Sequence, residues 1–359
     1  MSTPNWSDPE LDHEFHVYMV DACDHNSILG ELEVYSDSAS VSWSQGDDQG
    51  IGLTASIEVP DWNQWVKGSW LRIVHRIPSC NYSRILGTFI VWDEGVSGGL
   101  NSYTSSPELV GVFRGLEYDL LINNFSIGEG ASMKDVMRRV MDATPIECRF
   151  SGTYNDYIFS GSYIFDVGES RLDVMRDLCD MGGDIMWPGD TGYVLITAKQ
   201  DLINSMARFT IDCDSEDSIV YEGSVQEVTT ARQVAGRSIA VWNGDDEDEG
   251  QVSLSGHSDV SSNHFASPGR RGYVVAELHE LEDLSPPRTL IHVQEEAKRW
   301  LKEDSTSVTQ WNIQTMWLPV VSGDIIDFRP PGGKFRHCVI DTVNADLGNW
   351  STSMTLREV

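Results

Sequence analysis

Residues 168–198 read GESRLDVMRDLCDMGGDIMWPGDTGYVLITA, and this stretch decides the fold. Ser170 followed three residues later by Asp173 is a helix-start pattern, because the serine oxygen can accept a backbone N–H that lacks an intrahelical partner. At 100° per residue, Leu172, Val174, Met175, Leu178, Cys179 and Met181 share one half of the wheel. Asp173, Arg176, Asp177 and Asp180 fill the other half. Gly182-Gly183 ends the helix. Residues 184–187 then predict a strand, 188–192 a turn and 193–197 the return strand. A short amphipathic helix followed by a hairpin is a packing unit, and it carries no evident chemistry.

Working outward, residues 126–205 form an α+β insert. Ser132 caps a second helix with Asp135 three residues on. Met133, Val136, Met137, Val140 and Met141 make its apolar stripe, and Pro145 ends it. Ahead of the insert, residues 1–12 read as an unanchored arm and 13–125 as a β domain. Strands are expected at 15–20, 29–35, 39–43, 52–59, 69–76, 85–93 and 109–116, rich in β-branched and aromatic residues. Short strands at regular spacing argue for a barrel or sandwich. Behind the insert, residues 206–359 return to β, with strands expected at 208–211, 218–228, 234–242, 273–277, 308–317, 323–328, 335–344 and 351–357. A third helix is predicted over 289–302, and the Gly/Ser-rich segment 254–271 reads as a long loop. The carboxylates of residues 245–249 must be solvated, since adjacent charges of one sign cannot be buried together. The fold class is therefore α+β, mainly β, with two β blocks flanking a smaller α+β insert.

Composition narrows the function. The chain has 359 residues with 56 acidic against 25 basic side chains, a formal charge of −31, and only six of the basic residues are lysine. Such a surface repels nucleic acid except where basic residues concentrate, and no such concentration is visible. It suits a wall past which DNA slides without sticking, and it equally suits a halophilic host, where salt screens self-repulsion. The six cysteines are scattered without CxxC spacing, consistent with free thiols in a reducing cytoplasm. The start of the chain is polar and acidic, with no secretory signal pattern, and no apolar run is long enough to span a membrane.

Chemical motifs are few. Gly95-Val96-Ser97-Gly98-Gly99 matches the nucleophile elbow of hydrolases, but the elbow needs a helix directly after it, and LNSYTSSPE is not one. Gly128-Glu129-Gly130 opens a dinucleotide-binding pattern whose third glycine is Met133, without a parallel βαβ context. Gly332-Gly333-Lys334 precedes a strand and reads as a hairpin turn, not a phosphate loop. His257 and His264 are expected to face solvent. Asp156 and Asp166 could serve as a glycosidase pair only if the fold brought them together. Residues 245–249 lack the ligand spacing of a calcium loop. No catalytic, cofactor-binding or metal-ligating residues are assigned, and no cofactor is expected. Trp62, Trp65, Trp70 and Trp92, among 12 tryptophans, leave open a carbohydrate-binding, receptor-recognition alternative.

The domain order, the helix-hairpin stretch with Ser170-Arg171-Leu172-Asp173, Leu178 and Gly183, the hairpin Asp190-Thr191-Gly192-Tyr193, and Leu318-Pro319 with Gly323-Asp324 together resemble the tail-hub family of tailed viruses, the baseplate hub or siphovirus tail-tip hub. The resemblance implies a non-enzymatic virion protein, assembled in the host cytoplasm and located at the tail tip. It implies a homotrimer whose subunits each supply two tube-like β domains, closing the tail tube around an acidic lumen. The implied partners are the tube or distal tail ring, the tape-measure C-terminus, fibre or receptor-binding proteins, and DNA passing without specific binding. A chain ending straight after its last strand would be a minimal hub, without a wall-degrading module.

Overall fold

The computed structural model describes residues 4–44, 52–60, 64–99, 102–198, 205–229, 234–246, 250–264, 266–281, 290–304 and 309–359. The fold is α+β and mainly β. Two compact units emerge from the contacts: residues 1–226 with 312–357 and 359, and residues 227–311 with 358.

In the larger unit the first block comprises β1 (Glu14–Val20), β2 (Ile28–Leu32), β3 (Ser40–Ser44), β4 (Leu53–Ser56), β5 (Trp70–Ile77), β6 (Tyr82–Gly99) and β7 (Ser102–Val110). Strand β6 is long enough to serve two sheets. Its first half pairs with β5 and its second with β7, and a register shift marks each half. Such bulges bend a strand and let it turn a corner between sheets. Residues 4–12 are anchored, contrary to the free arm expected from sequence. Trp6 packs edge-on against Tyr82 at 5.3 Å between centroids, and the Asp12 carboxylate accepts from the Ser79 N–H at 2.9 Å.

The expected strand over 109–116 divides. Residues 109–110 finish β7, and Val112–Tyr118 is helix α1. Val112, Phe113 and Leu116 are buried at helical spacing, and the shape of the core selected that period over the alternation of a strand. Gly111 forms the junction; a side chain there would press on Leu53, whose carbonyl accepts the Gly111 N–H at 2.7 Å.

The insert follows as β8 (Phe125–Ile127), α2 (Met133–Met141), β9 (Cys148–Phe150), β10 (Tyr163–Phe165), α3 (Arg171–Gly182), β11 (Asp184–Pro188) and β12 (Val194–Ala198). Helix α3 starts where the sequence places it. The Ser170 hydroxyl accepts from the Asp173 N–H at 3.0 Å and donates to the Asp173 carboxylate at 2.6 Å. Gly183 closes the helix in the left-handed region, with φ of 69°. Leu172, Val174, Met175 and Leu178 are buried against the apolar stripe of α2 and residues of α1 in one continuous core. At about 1.5–3 kcal/mol per buried side chain, this face outweighs the weak helix propensity of an aspartate-rich dozen residues.

The chain then runs through β13 (Phe209–Asp212) to β14 (Gln226–Thr229). The strand expected over 218–228 is mostly irregular, tied by single bonds such as Tyr221 N–H to the Gln314 carbonyl at 2.9 Å. The smaller unit contains β15 (Arg237–Asp246), β16 (Gly250–Asp259), α4 (Pro268–Arg271), β17 (Ala276–Leu281) and α5 (Leu290–Asp304). Its sheet order is β16-β15-β17, with α5 packed over Ala240 and Trp242 through Val293 and Ala297. The loop expected over 254–271 is thus strand over its first third, residues 254–259. A polar serine-rich segment holds an edge position because one side faces solvent, and Gly256 lets the backbone of α5 at Gln294 approach. Residues 247–249 of the acidic run lie outside the described residues.

The larger unit is completed by β18 (Thr309–Met316), β19 (Ile325–Arg329), β20 (Arg336–Asp346) and β21 (Ser351–Glu358). These strands extend the first block's sheet in the order β18-β21-β20-β3-β4-β7-β6-β5-β1-β2, so strands far apart in sequence share one ladder. The joint is β20 on β3, with Val343 opposite Trp43.

Candidate functional site

The hairpin of residues 184–198 is where three parts of the larger unit meet. Its tip rests on the first block. Thr88 donates through Oγ1 to the Asp190 carbonyl at 2.8 Å and accepts from Arg72 Nε at 3.0 Å. The Arg72 guanidinium also donates to the His25 carbonyl, so a buried cation is held by neutral oxygens on both sides. Gly192, with φ of +88°, sits against the rings of His25 and Trp70, and a side chain there would meet both.

Beside this contact lies a cleft of about 360 Å³. Its walls are Trp43, Leu53 and Leu86 from the first block, Trp187 and Leu195 from the hairpin, and the turn 321–324. Arg84 is its cation, donating to the Pro319 carbonyl; burial pulls its pKa down, opposed by the nearby Asp324. Asp324 also pairs with Arg208 at 2.6 Å and accepts from the Val321 N–H at 2.9 Å. Gly323 adopts φ of +86° against the Cη2 end of the Trp187 ring, whose Nε1 donates to Thr197 at 3.2 Å. The cleft has the apolar walls of a binding pocket, but its Arg84, Thr197, Ser322 and Asp324 already hold hydrogen bonds within the protein. It works as a joint.

A second cluster joins the start of the chain to the last strands. His13 Nδ1 and His75 Nε2 lie 2.9 Å apart, so one ring donates and the other accepts. Trp350 lies 4.7 Å from His13 and Trp317 lies 4.8 Å from His75, centroid to centroid, with Tyr82 at 5.6 Å from His75. Burial among these rings lowers the pKa of His75 to about 3, helped by His13 and Arg84, and burial also lowers that of His13. Trp350 is held at φ of 49°, an uncommon conformation for a bulky residue. In the insert core, burial raises Asp184 to about 6, and its Oδ2 has no hydrogen-bond partner. The neighbouring Tyr154 hydroxyl is likewise unpartnered and raised, by burial first and then by Asp184.

The sequence motifs resolve on this geometry. Residues 95–99 lie inside β6 and pair with β7, so the backbone around Ser97 is a hairpin strand with no helix behind it. Gly332, in the turn between β19 and β20, donates its N–H to the Asp214 carboxylate at 3.0 Å, where a phosphate loop would need an anionic ligand. Asp156 caps α2, accepting from Ser132 Oγ at 2.7 Å and from the Lys134 N–H at 3.0 Å. Asp166 is exposed. His257 is exposed on β16, and His264 is half-buried, correcting its expected solvent position. Trp70 is a core residue facing His25 at 4.3 Å, and Trp92 is exposed beside Tyr118. Trp62 lies outside the described residues. Among the described tryptophans of the carbohydrate alternative, Trp65 is half-buried, Trp70 buried and Trp92 exposed. Among the described residues, no three or more His, Cys, Asp or Glu side chains converge to hold a metal ion. The His13–His75 cluster and the Arg72–Thr88–Asp190 chain were missed by sequence reasoning, because their members lie 62 and about 100 residues apart.

The fold is that of tail proteins. Over 96% of both chains it superposes on the tail protein from Neisseria meningitidis MC58, with a TM-score of 0.68 at 11% identity. The 43 kDa tail protein of prophage MuSo2 from Shewanella oneidensis matches over 96% of this chain and 98% of that one, with a TM-score of 0.66 at 10% identity. Prophage tail protein gp18 from Listeria monocytogenes EGD-e matches over 95% and 94%, with a TM-score of 0.58 at 10% identity. No protein-family model and no curated protein matches the sequence.

Proposed function

We propose that this chain is a non-enzymatic structural protein of a viral tail, a hub at the distal end of the tail tube. One observation carries the reading: the shared fold extends over nearly the whole of this chain and of the tail proteins compared with it. A partial match to a generic β domain would not cover both chains to this extent.

In finer detail, three copies form a ring. Each supplies two tube-like β domains, drawn from residues 13–125 and 206–359, with the insert 126–205 between them. The formal charge of −31 supports an acidic lumen through which DNA passes without adhering, and a salt-rich host would favour the same composition. The tube or distal tail ring, the tape-measure C-terminus and fibre or receptor-binding proteins are the proposed partners, in a particle assembled in the host cytoplasm. Light scattering and electron microscopy of the purified chain, across a salt series, test this. A threefold ring is expected as salt screens the carboxylates. Monomer or an even-numbered closed oligomer at every salt concentration would overturn the hub reading.

A further inference from the structure

Residues 4–13 lie against the first block, and a short set of side-chain contacts fastens them there. The bonds Asp8 N–H to Asn5 carbonyl and His13 N–H to Leu11 carbonyl, each at 3.0 Å, close turns within the segment itself. Trp6 on Tyr82, Asp12 on Ser79 and His13 on His75 tie it to β5, β6 and the turn between them. The last of these ties leaves polar atoms stranded. His75 Nδ1 and the Nε1 of adjoining Trp317 are buried with no hydrogen-bond partner among the described residues. A stranded lone pair is more readily tolerated than a stranded N–H. The network therefore assigns the His75 proton to Nε2, which donates to His13 Nδ1.

That arrangement makes the tie sensitive to a single proton. Half-buried His13 accepts through Nδ1, so Nδ1 is where an added proton must go. Two N–H groups then face each other across 2.9 Å, unless His75 moves its own proton to Nδ1, where nothing accepts it. A second proton sets two cations in contact. The charged groups around the pair do not relieve this. Asp12 favours a charged His13 but travels with the segment, while Arg84, opposite His75 on β6, opposes a charge on His75. Arg84 is itself near Asp324 and Arg208, and the neighbouring Tyr82 and Trp350 rings carry no charge. We infer that residues 4–13 are an acid-released strap: protonation of His13 parts it from His75, and the segment lifts away while β5 and β6 stay paired. The strands can stay paired because their ladder runs from Leu71–Phe89 to Ile77–Tyr82 without using the strap. The inference is independent of the hub reading, since it follows from these contacts alone.

The test uses the full-length chain labelled with 5-fluorotryptophan and followed by fluorine NMR from pH 7 to pH 4. Trp6→Phe and Trp350→Phe assign the two reporters on the strap and beside it, and Trp43→Phe and Trp70→Phe assign two buried controls in the same unit. The Trp6 and Trp350 resonances should move reversibly to solvent-exposed positions, with a midpoint below the ordinary histidine value of 6.5, while those of Trp43 and Trp70 stay. His13→Phe, which keeps a ring in the stack, and His75→Phe should each lower that midpoint by about one pH unit or more. His257→Gln, at an exposed histidine of the smaller unit, should leave it unchanged. Circular dichroism verifies that the variants fold. A Trp6 resonance that holds its position down to pH 4, or an unchanged midpoint in both histidine variants, would overturn the inference. So would Trp43 and Trp70 moving together with Trp6, since acid would then unfold the unit and not release the strap.

Discussion

Acidification should open the joint at His13 and His75. Their 2.9 Å contact requires a lone pair on one ring and a proton on the other, and it fails when both are charged. His75 is fully buried, and its pKa falls from an ordinary 6.5 to about 3. A folded-state pKa below the unfolded one means that the unfolded chain binds the proton more readily. The stability held above pH 6.5 is therefore lost as pH falls from there toward about 3. Linkage at 1.36 kcal/mol per unit gives a loss from this residue of about 2 kcal/mol between pH 7 and pH 5, and about 3 kcal/mol by pH 4. His13 adds a loss of the same sign. Falling pH also relieves carboxylate repulsion across the whole surface, so the residue's share must be read by difference. Denaturant unfolding followed by tryptophan fluorescence, for wild type and His75→Phe at pH 7, 6 and 5, supplies that difference. The wild type should lose about 2 kcal/mol relative to the variant across this range. Parallel stability profiles for the two proteins would refute the reasoning.

Asp184 has the opposite sign. Its pKa is raised to about 6, so stability is fully present below 3.8 and lost as pH rises through about 6. Asp184→Asn should stabilise at pH 8 by up to about 3 kcal/mol, with the advantage gone by pH 4, as read by paired melts. Gly323→Val forces a side chain into Trp187 at a positive φ, and calorimetry should show a loss of about 2 kcal/mol or more. Ser170→Ala removes the α3 cap and should lower stability by about 1 kcal/mol, with Ser170→Asp largely restoring it in the same denaturation assay. Leu178→Ala leaves a cavity between α2 and α3 and should cost about 2–5 kcal/mol.

Local chemistry was legible wherever neighbours in sequence decide the outcome. Ser170 and Ser132 cap the helices assigned to them, and Gly183 ends α3, because caps are satisfied within a few residues. Val112–Tyr118 was misread because one strand residue pair followed by Gly111 and a short helix carries too few periods to separate 3.6 from 2. Residues 254–259 were misread because an edge strand can be as polar as a loop. The cleft itself was invisible. Arg84 and Pro319 are 235 residues apart, and neither looks unusual in its own segment.

By itself, then, the sequence determined the α+β, mainly β class, the apolar faces of α2 and α3, the hairpin of residues 184–198 and the acidic character. These follow from periodicity, capping and composition, which act over short range or over the whole chain at once. Only the tertiary structure decided that β20 returns to β3, that residues 227–311 stand as their own unit, and that His13 meets His75. Pairing partners far apart in sequence are chosen by which closure buries the most apolar surface without stranding backbone hydrogen bonds, and that choice exists only once the whole chain is folded.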